Sequence, residues 1–206
     1  MTTVPPATPH RQIRAAYDDE TITVYQAYPD EIADPALRAG TFVAPFNMSR
    51  MTWIKPSFLW MAYRSGWATK PNQTRVLRIT ITREGFEWAL THSCLSHYDR
   101  KHHPSEAAWR QALRHSPVRI QWDPEQTLHL KAQPTTRSIQ IGLSAEAVLL
   151  YVNNWITTIE DATPQMHTIH ALTKTSPPEA EHLLPTERPY PLPTPIAEQI
   201  AATPFD

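Results

Sequence analysis

The octapeptide RVLRITIT, residues 75–82, alternates without a break, with Leu77, Ile79 and Ile81 on one face and Val76, Arg78 and Thr80 on the other. A two-residue period built on β-branched side chains predicts a strand with one face in a core. Upstream, TITVYQAY at 21–28 is equally rich in β-branched and aromatic residues and predicts a second strand. Downstream, Val118, Ile120 and Trp122 alternate with Arg119, Gln121 and Asp123, and Leu128 and Leu130 resume the pattern after a turn expected at Asp123-Pro124. SIQIGL at 138–143 alternates again, which makes about five expected strands.

Helical spacing separates them at 84–97, at 105–115 with Ser105 as cap, and at 145–159, where Val148, Val152, Trp155 and Ile159 form an apolar stripe. A short helical turn is expected at 34–38. Strands joined partly by helices and partly by turns predict an α+β class, a twisted mixed or antiparallel sheet with helices packed on it. Length is compatible with one domain, at 206 residues. The expected organisation is a flexible lead at 1–12, the domain at 13–176, and a proline-rich tail at 177–206, extended or disordered, which holds eight of the 21 prolines.

Composition excludes several function classes. Four glycines leave no glycine-rich phosphate loop of Rossmann or P-loop type. No apolar run approaches the roughly 18 residues of a membrane span, so no membrane partner is expected. The start lacks an apolar signal region, and the one cysteine, Cys94, rules out an internal disulfide; both readings favour the cytoplasm. With 19 Lys plus Arg against 20 Asp plus Glu, anion binding must come from a local cluster, not from the field of the whole molecule.

Such a cluster is RMTWIKPSFLWMAYRSGWATK at 50–70. A helix is expected over 56–65, started by Pro56 at the first helical position and stopped by Gly66 in a left-handed conformation. Ser57, Trp60, Met61 and Arg64 then share a face, and Lys55 and the free amides of the helix start point toward a phosphate or carboxylate, with Arg50 or Arg64 adding bidentate contacts. Trp53, Trp60 or Trp67 offers a flat indole face on which a base or nicotinamide can stack. The small-ligand expectation is therefore an anion or nucleotide held by Arg50, Trp53, Lys55, Ser57, Trp60, Arg64 and Trp67. The competing structural reading is that tryptophans on a helix fill a core and arginines lie along a solvated face.

Other constellations weigh less. His92, Cys94 and His97 are zinc-ligand types, but their spacing suits one helix face poorly, and no metal is expected. Cys94 reads as a buried, inert thiol. Gln26, Gln121 and Gln140 stand where a sheet can aim an amide into a cleft. Among ionisable groups near them Glu125 or Asp123 would take part in catalysis, with Gln121 orienting the substrate.

The strings IRAAYDDETITVYQAY, RMTWIKPSFLWMAYRSGW, REGFEWAL, VRIQWDPE and RSIQIGL resemble the family described as domain of unknown function 4291, over about 13–161. At fold level the chain is more loosely similar to the ADP-ribosyltransferase superfamily, whose split sheet binds NAD. That resemblance implies an NAD-dependent transferase. TITVYQAY would be the first strand, with Gln26 where the superfamily has Arg or His. Arg50, Lys55 or Arg64 would hold the pyrophosphate, and Glu125 would support the oxocarbenium or orient the acceptor. Glu125 at a turn, not inside a strand, departs from that pattern. Two further classes are weighed beside it: a noncatalytic module stacking single-stranded nucleic acid on the same tryptophans, and a protein-interaction domain docking a partner through its proline-rich tail.

Overall fold

In a computed structural model that describes residues 10–203, two sheets share one apolar core and part company at a single point. The elements run β1 (Arg14–Ala15), β2 (Thr21–Tyr28), α1 (Asp30–Ala39), β3 (Thr52–Ile54), α2 (Phe58–Ser65), β4 (Arg75–Thr82), α3 (Arg83–Thr91) and β5 (Ser93–Leu95). They continue with α4 (Glu106–His115), β6 (Val118–Gln126), β7 (Ala132–Leu143), α5 (Glu146–Leu150), a π-helical turn (Tyr151–Trp155) and β8 (Ile156–Asp161). The last elements are α6 (Thr163–Thr175), α7 (Pro177–His182), β9 (Arg188–Pro189) and α8 (Thr194–Gln199). The class is α+β, as the strand and helix periods predict.

The first sheet has the order β2-β4-β8, all antiparallel, and the second β3-β7-β6-β5, with β5 parallel to β6. Strand β4 is central in its sheet, and the alternation of RVLRITIT explains the placement: Leu77, Ile79 and Ile81 are fully buried in the main core. Ile22 and Val24 of β2, Ile54 of β3, and Ile139, Ile141 and Leu143 of β7 join them. On the opposite face, Val76 and Tyr25 meet a second cluster made of Phe58, Met61 and Trp67 with Met166 and Ile169 of α6.

The two sheets touch through one bridge. Tyr25 N donates to Lys55 O at 2.7 Å and Lys55 N to Tyr25 O at 3.3 Å. Past that pair the backbones of β2 and β3 form no ladder, and the side-chain amide of Gln26 donates to Trp53 O across the gap at 3.2 Å. The sheet is thus split, with a fork that opens from Tyr25 and Lys55.

Four expectations change. The pattern at 84–97 divides into α3 and β5, because Cys94 and Leu95 are needed as a buried edge beside β6; Cys94 therefore lies on a strand, not on a helix. The stripe at 145–159 bends through the π-helical turn and ends in β8, so Ile159 faces the core from a strand. Asp123-Pro124 is no turn: β6 runs through it to Gln126 and the chain reverses at 127–131, which puts Glu125 inside a strand. Finally, the described part of the tail carries α7, β9 and α8 and packs onto the domain. Tyr190 and Ile200 are buried in the main core, β9 pairs with β1, and Trp122 Nε1 donates to Ile200 O at 2.8 Å. Apolar residues spaced among the prolines outweigh the composition. The lead at 1–12 lies outside the described residues up to position 9, while Gln12 is buried.

No helix among the described residues is long and apolar enough to cross a membrane.

A candidate anion-binding site in the fork between the sheets

The fork contains a cavity of about 680 Å³. Its walls come from β2 (Gln26, Tyr28), the loop that leads into β3 (Phe46, Asn47, Arg50), β3 and its end (Thr52, Trp53, Lys55), α2 (Met61, Arg64) and the turn after it (Asn72, Gln73).

Helix α2 aims part of this set. Ser57 is its cap and accepts from Trp60 N at 3.1 Å, so Pro56 sits before the cap and not at the first helical position. Gly66 closes the helix at φ 59°, a left-handed conformation that costs a glycine little, and its N–H returns to Ala62 O and Tyr63 O. Within the helix Phe58, Met61, Ala62 and Ser65 form the buried stripe, and Arg64 is left exposed at the cavity rim. Two of the first amides are taken: Phe58 N donates to a Glu187 carboxyl oxygen at 2.7 Å and Trp60 N to Ser57 Oγ at 3.1 Å, while the Ser57 hydroxyl donates to Glu125 at 2.9 Å.

Lys55 is the floor cation. Only 4% of it is exposed, and its Nζ lies 4.6 Å from the centre of the Trp60 ring. Desolvation, and next the charge of Arg64, push its pKa down to about 7, while Asp123 pulls the other way. Among the described residues no ion pair engages Lys55, Arg50 or Arg64, and the Arg64 backbone carbonyl accepts from Lys70 Nζ at 3.0 Å. Elsewhere Arg75 is paired with Asp34 at 2.7 Å and Asp161 at 2.9 Å, and Arg83 with Glu87 at 3.7 Å.

Opposite the cations lies a buried network of neutral groups. Gln26 Nε2 donates to Thr52 Oγ1 at 2.6 Å and lies 3.0 Å from Tyr28 Oη, and Gln26 Oε1 accepts from Tyr151 Oη at 2.8 Å. Burial raises the pKa of Tyr28 to about 12 and also pushes that of Tyr151 well up, so both remain hydroxyls. Gln26 and Tyr28 continue the face of Ile22 and Val24, so the same strand face that packs the core becomes polar where it enters the fork.

Of the residues singled out from the sequence, the fold brings Gln26, Arg50, Trp53, Lys55 and Arg64 to one cavity. Trp60 is buried beneath Lys55, and Ser57 is spent on capping. Trp67 is not available for a ligand: it is buried in the second core, with its ring stacked on His170 at 5.3 Å and 4°. Gln121 and Glu125 lie on β6, which β7 separates from β3, and neither lines the cavity. Gln121 donates to Asp123 at 2.8 Å, as does Gln140 at 2.6 Å, and burial raises the pKa of Glu125. His92, Cys94 and His97 do not converge; the nearest imidazole contact of Cys94 is His103 Nε2 at 4.0 Å. Sequence reasoning missed Tyr28, Thr52, Asn47 and Tyr151. Tyr28 was within reach, since it shares a strand face with Gln26 at the two-residue period, whereas Tyr151 joins from 125 residues away.

The family model described as Domain of unknown function (DUF4291) matches residues 12–190. No curated protein and no solved structure matches the chain.

Proposed function

The chain belongs to the DUF4291 family, and within it we propose a nucleotide-binding transferase of ADP-ribosyltransferase type that takes NAD in the fork between its two sheets. The observation that carries this reading is the convergence of Arg50, Lys55 and Arg64 on one cavity, with no carboxylate paired to any of them among the described residues. The two exposed guanidiniums, joined by Lys55 when its amine is protonated, supply the charge-assisted contacts that a pyrophosphate requires. The cavity is of ligand-binding size, and Phe46, Trp53 and Met61 give it apolar wall against which a ring can lie. The split at Tyr25 and Lys55 supports the superfamily comparison, because that superfamily holds NAD where its sheet divides.

In this reading the bond between the ribose anomeric carbon and the nicotinamide nitrogen breaks, nicotinamide leaves with the electron pair, and an acceptor lone pair forms the new bond. The cations bind the pyrophosphate and orient the ribose. Glu125 acts as a positioning residue, because its hydrogen bond to Ser57 fixes the start of α2 directly after Lys55.

Thermal stabilisation of the purified chain by NAD, ADP-ribose, ATP and a short single-stranded RNA tests the reading, with Arg50→Ala and Arg64→Ala alongside. NAD or ADP-ribose should raise the melting temperature of the parent chain, and each variant should lose most of the shift. Nicotinamide release from NAD should follow. Stabilisation by RNA alone, or by no nucleotide, would reject it.

A further inference from the structure

Lys55 stands at the inner end of the fork, among the residues that line its cavity, with features that binding a phosphate does not explain. A lysine that only pairs with phosphate works well at a solvated rim, where its charge is cheap to keep. Here the rim is supplied by two exposed guanidiniums, Arg50 and Arg64, while Lys55 is drawn inside against the face of Trp60 with 4% of its surface exposed. No acceptor among the described residues holds its Nζ, and Lys55 is one of the residues that line the cavity. Desolvation beside another cation is the arrangement that turns lysine from a fixed charge into a nucleophile.

We infer that Lys55 is a covalent capture site, whose amine condenses with the aldehyde of a phosphorylated ligand drawn into the fork by Arg50 and Arg64. The inference rests on the anion-binding half of the proposed function and adds a bond-forming step to it. The nitrogen lone pair attacks the carbonyl carbon, the carbonyl electrons pass to oxygen, and a proton moves from nitrogen to that oxygen to give a carbinolamine. Loss of the oxygen as water leaves an imine, so one amine and one aldehyde become one C=N bond and one water with no redox partner. The ligand class includes the ring-opened form of ADP-ribose, whose anomeric carbon is an aldehyde and whose pyrophosphate suits the rim. The lowered pKa of Lys55, about 7, is consistent with a free amine at neutral pH.

The test uses the full chain and pyridoxal 5′-phosphate as the probe, followed by borohydride reduction and peptide mass mapping. Lys55 should be labelled about tenfold or more faster than the exposed Lys70, Lys101, Lys131 and Lys174, because its amine is held out of water beside a rim of guanidiniums that concentrates the phosphorylated probe. Pyridoxal without the phosphate should label Lys55 more slowly, and Arg50→Ala with Arg64→Ala should erase that difference. Lys55→Met should lose the adduct while melting cooperatively. Labelling confined to exposed lysines, or no dependence on the phosphate, would overturn the inference. If ADP-ribose stabilises the chain reversibly while Lys55 stays unlabelled, capture fails and the nucleotide reading survives. If Lys55 is labelled and no nucleotide binds, capture stands and the transferase reading fails.

Discussion

Tyr151 donates its buried hydroxyl to Gln26 Oε1 at 2.8 Å, and this bond ties the π-helical turn of one core wall to the point where β2 and β3 diverge. Gln26 in turn donates to Thr52 and to Trp53 O, so one amide holds both arms of the fork at a fixed separation. Gln26→Leu leaves the Tyr151 hydroxyl without an acceptor in a fully buried position, and should cost about 2–4 kcal/mol of stability. Adding Tyr151→Phe removes the orphaned donor and should recover about 1–2 kcal/mol of that loss. Denaturant midpoints of both single variants and the double variant check this; strictly additive losses would show that the two groups are not coupled.

Lys55 should make stability depend on pH in one direction. Its folded pKa, about 7, is below the value of roughly 10.4 expected in the unfolded chain, so between those limits the unfolded state binds more protons. Stability therefore rises as pH climbs from 7 toward 10.4, and the penalty for holding the charge is fully present below 7. Lys55→Met removes the titration, and should be more stable than the parent by about 1–3 kcal/mol near and below neutrality, with the gap closing in alkali. Paired denaturation curves across that range test it, and a gap that does not change with pH would contradict the burial of a neutral amine.

Gly85, in the first turn of α3, lies under the indole of Trp155. A methyl group at that position would come within 2.3 Å of the ring. Trp155 is itself buried and packs on Trp88 and Tyr151, so the ring has nowhere to go without opening the core wall. Gly85→Ala should destabilise the fold by about 3 kcal/mol, despite the better helix propensity of alanine. A melting temperature equal to that of the parent would mean that the indole moves freely.

The strands of this fold were legible wherever the two-residue period was unbroken, as at 75–82, because one face of each strand had to enter the core. The period failed where tertiary demands overrode it. Helical spacing around Cys94 could not show that β6 needed a parallel edge, and the prolines of the tail hid the buried Tyr190. Within the site, Arg50, Lys55 and Arg64 were legible as a local cluster, since a loop, a strand end and one helix lie close in sequence. The Gln26 network was not, because Thr52 and Tyr151 reach it from 26 and 125 residues away, and no sequence period carries that information.

The tail is a structural member, and truncation should show it. Tyr190 Oη donates to Glu87 at 2.6 Å and accepts from Arg83 at 2.9 Å, while its ring packs on Phe86 and Tyr17. Chain ending after Ser176 loses this plug, the β1–β9 pair and the buried Ile200 together. Burial of large aromatic and aliphatic side chains contributes about 2–3 kcal/mol each, which in sum approaches the whole stability of a domain. The truncated chain should fail to unfold cooperatively, as followed by near-ultraviolet circular dichroism. A sharp native-like transition would instead make the tail an appendage free to dock elsewhere.

Glu187 connects that tail to the site and sets the opposite pH dependence from Lys55. Its carboxyl accepts from Phe58 N at the start of α2, while Glu125 stands at the neighbouring Ser57, and Arg14 Nη2 donates to the Glu187 carbonyl at 2.9 Å. Desolvation, helped by the Glu125 charge, pushes the Glu187 pKa up to about 8, against the hydrogen bond from Phe58 N and the charge of Arg14. Because the folded value lies above the unfolded one of roughly 4.3, the folded state holds the extra proton between them. The stability it contributes is complete below about 4.3 and is lost as pH rises through 8. Glu187→Gln keeps an oxygen for Phe58 N and removes the charge, so its advantage over the parent should be near zero in acid and reach about 1–3 kcal/mol above pH 8. A variant that is instead less stable than the parent in alkali would mean that the ionised carboxylate is welcomed at the helix start, with the α2 dipole outweighing the repulsion from Glu125.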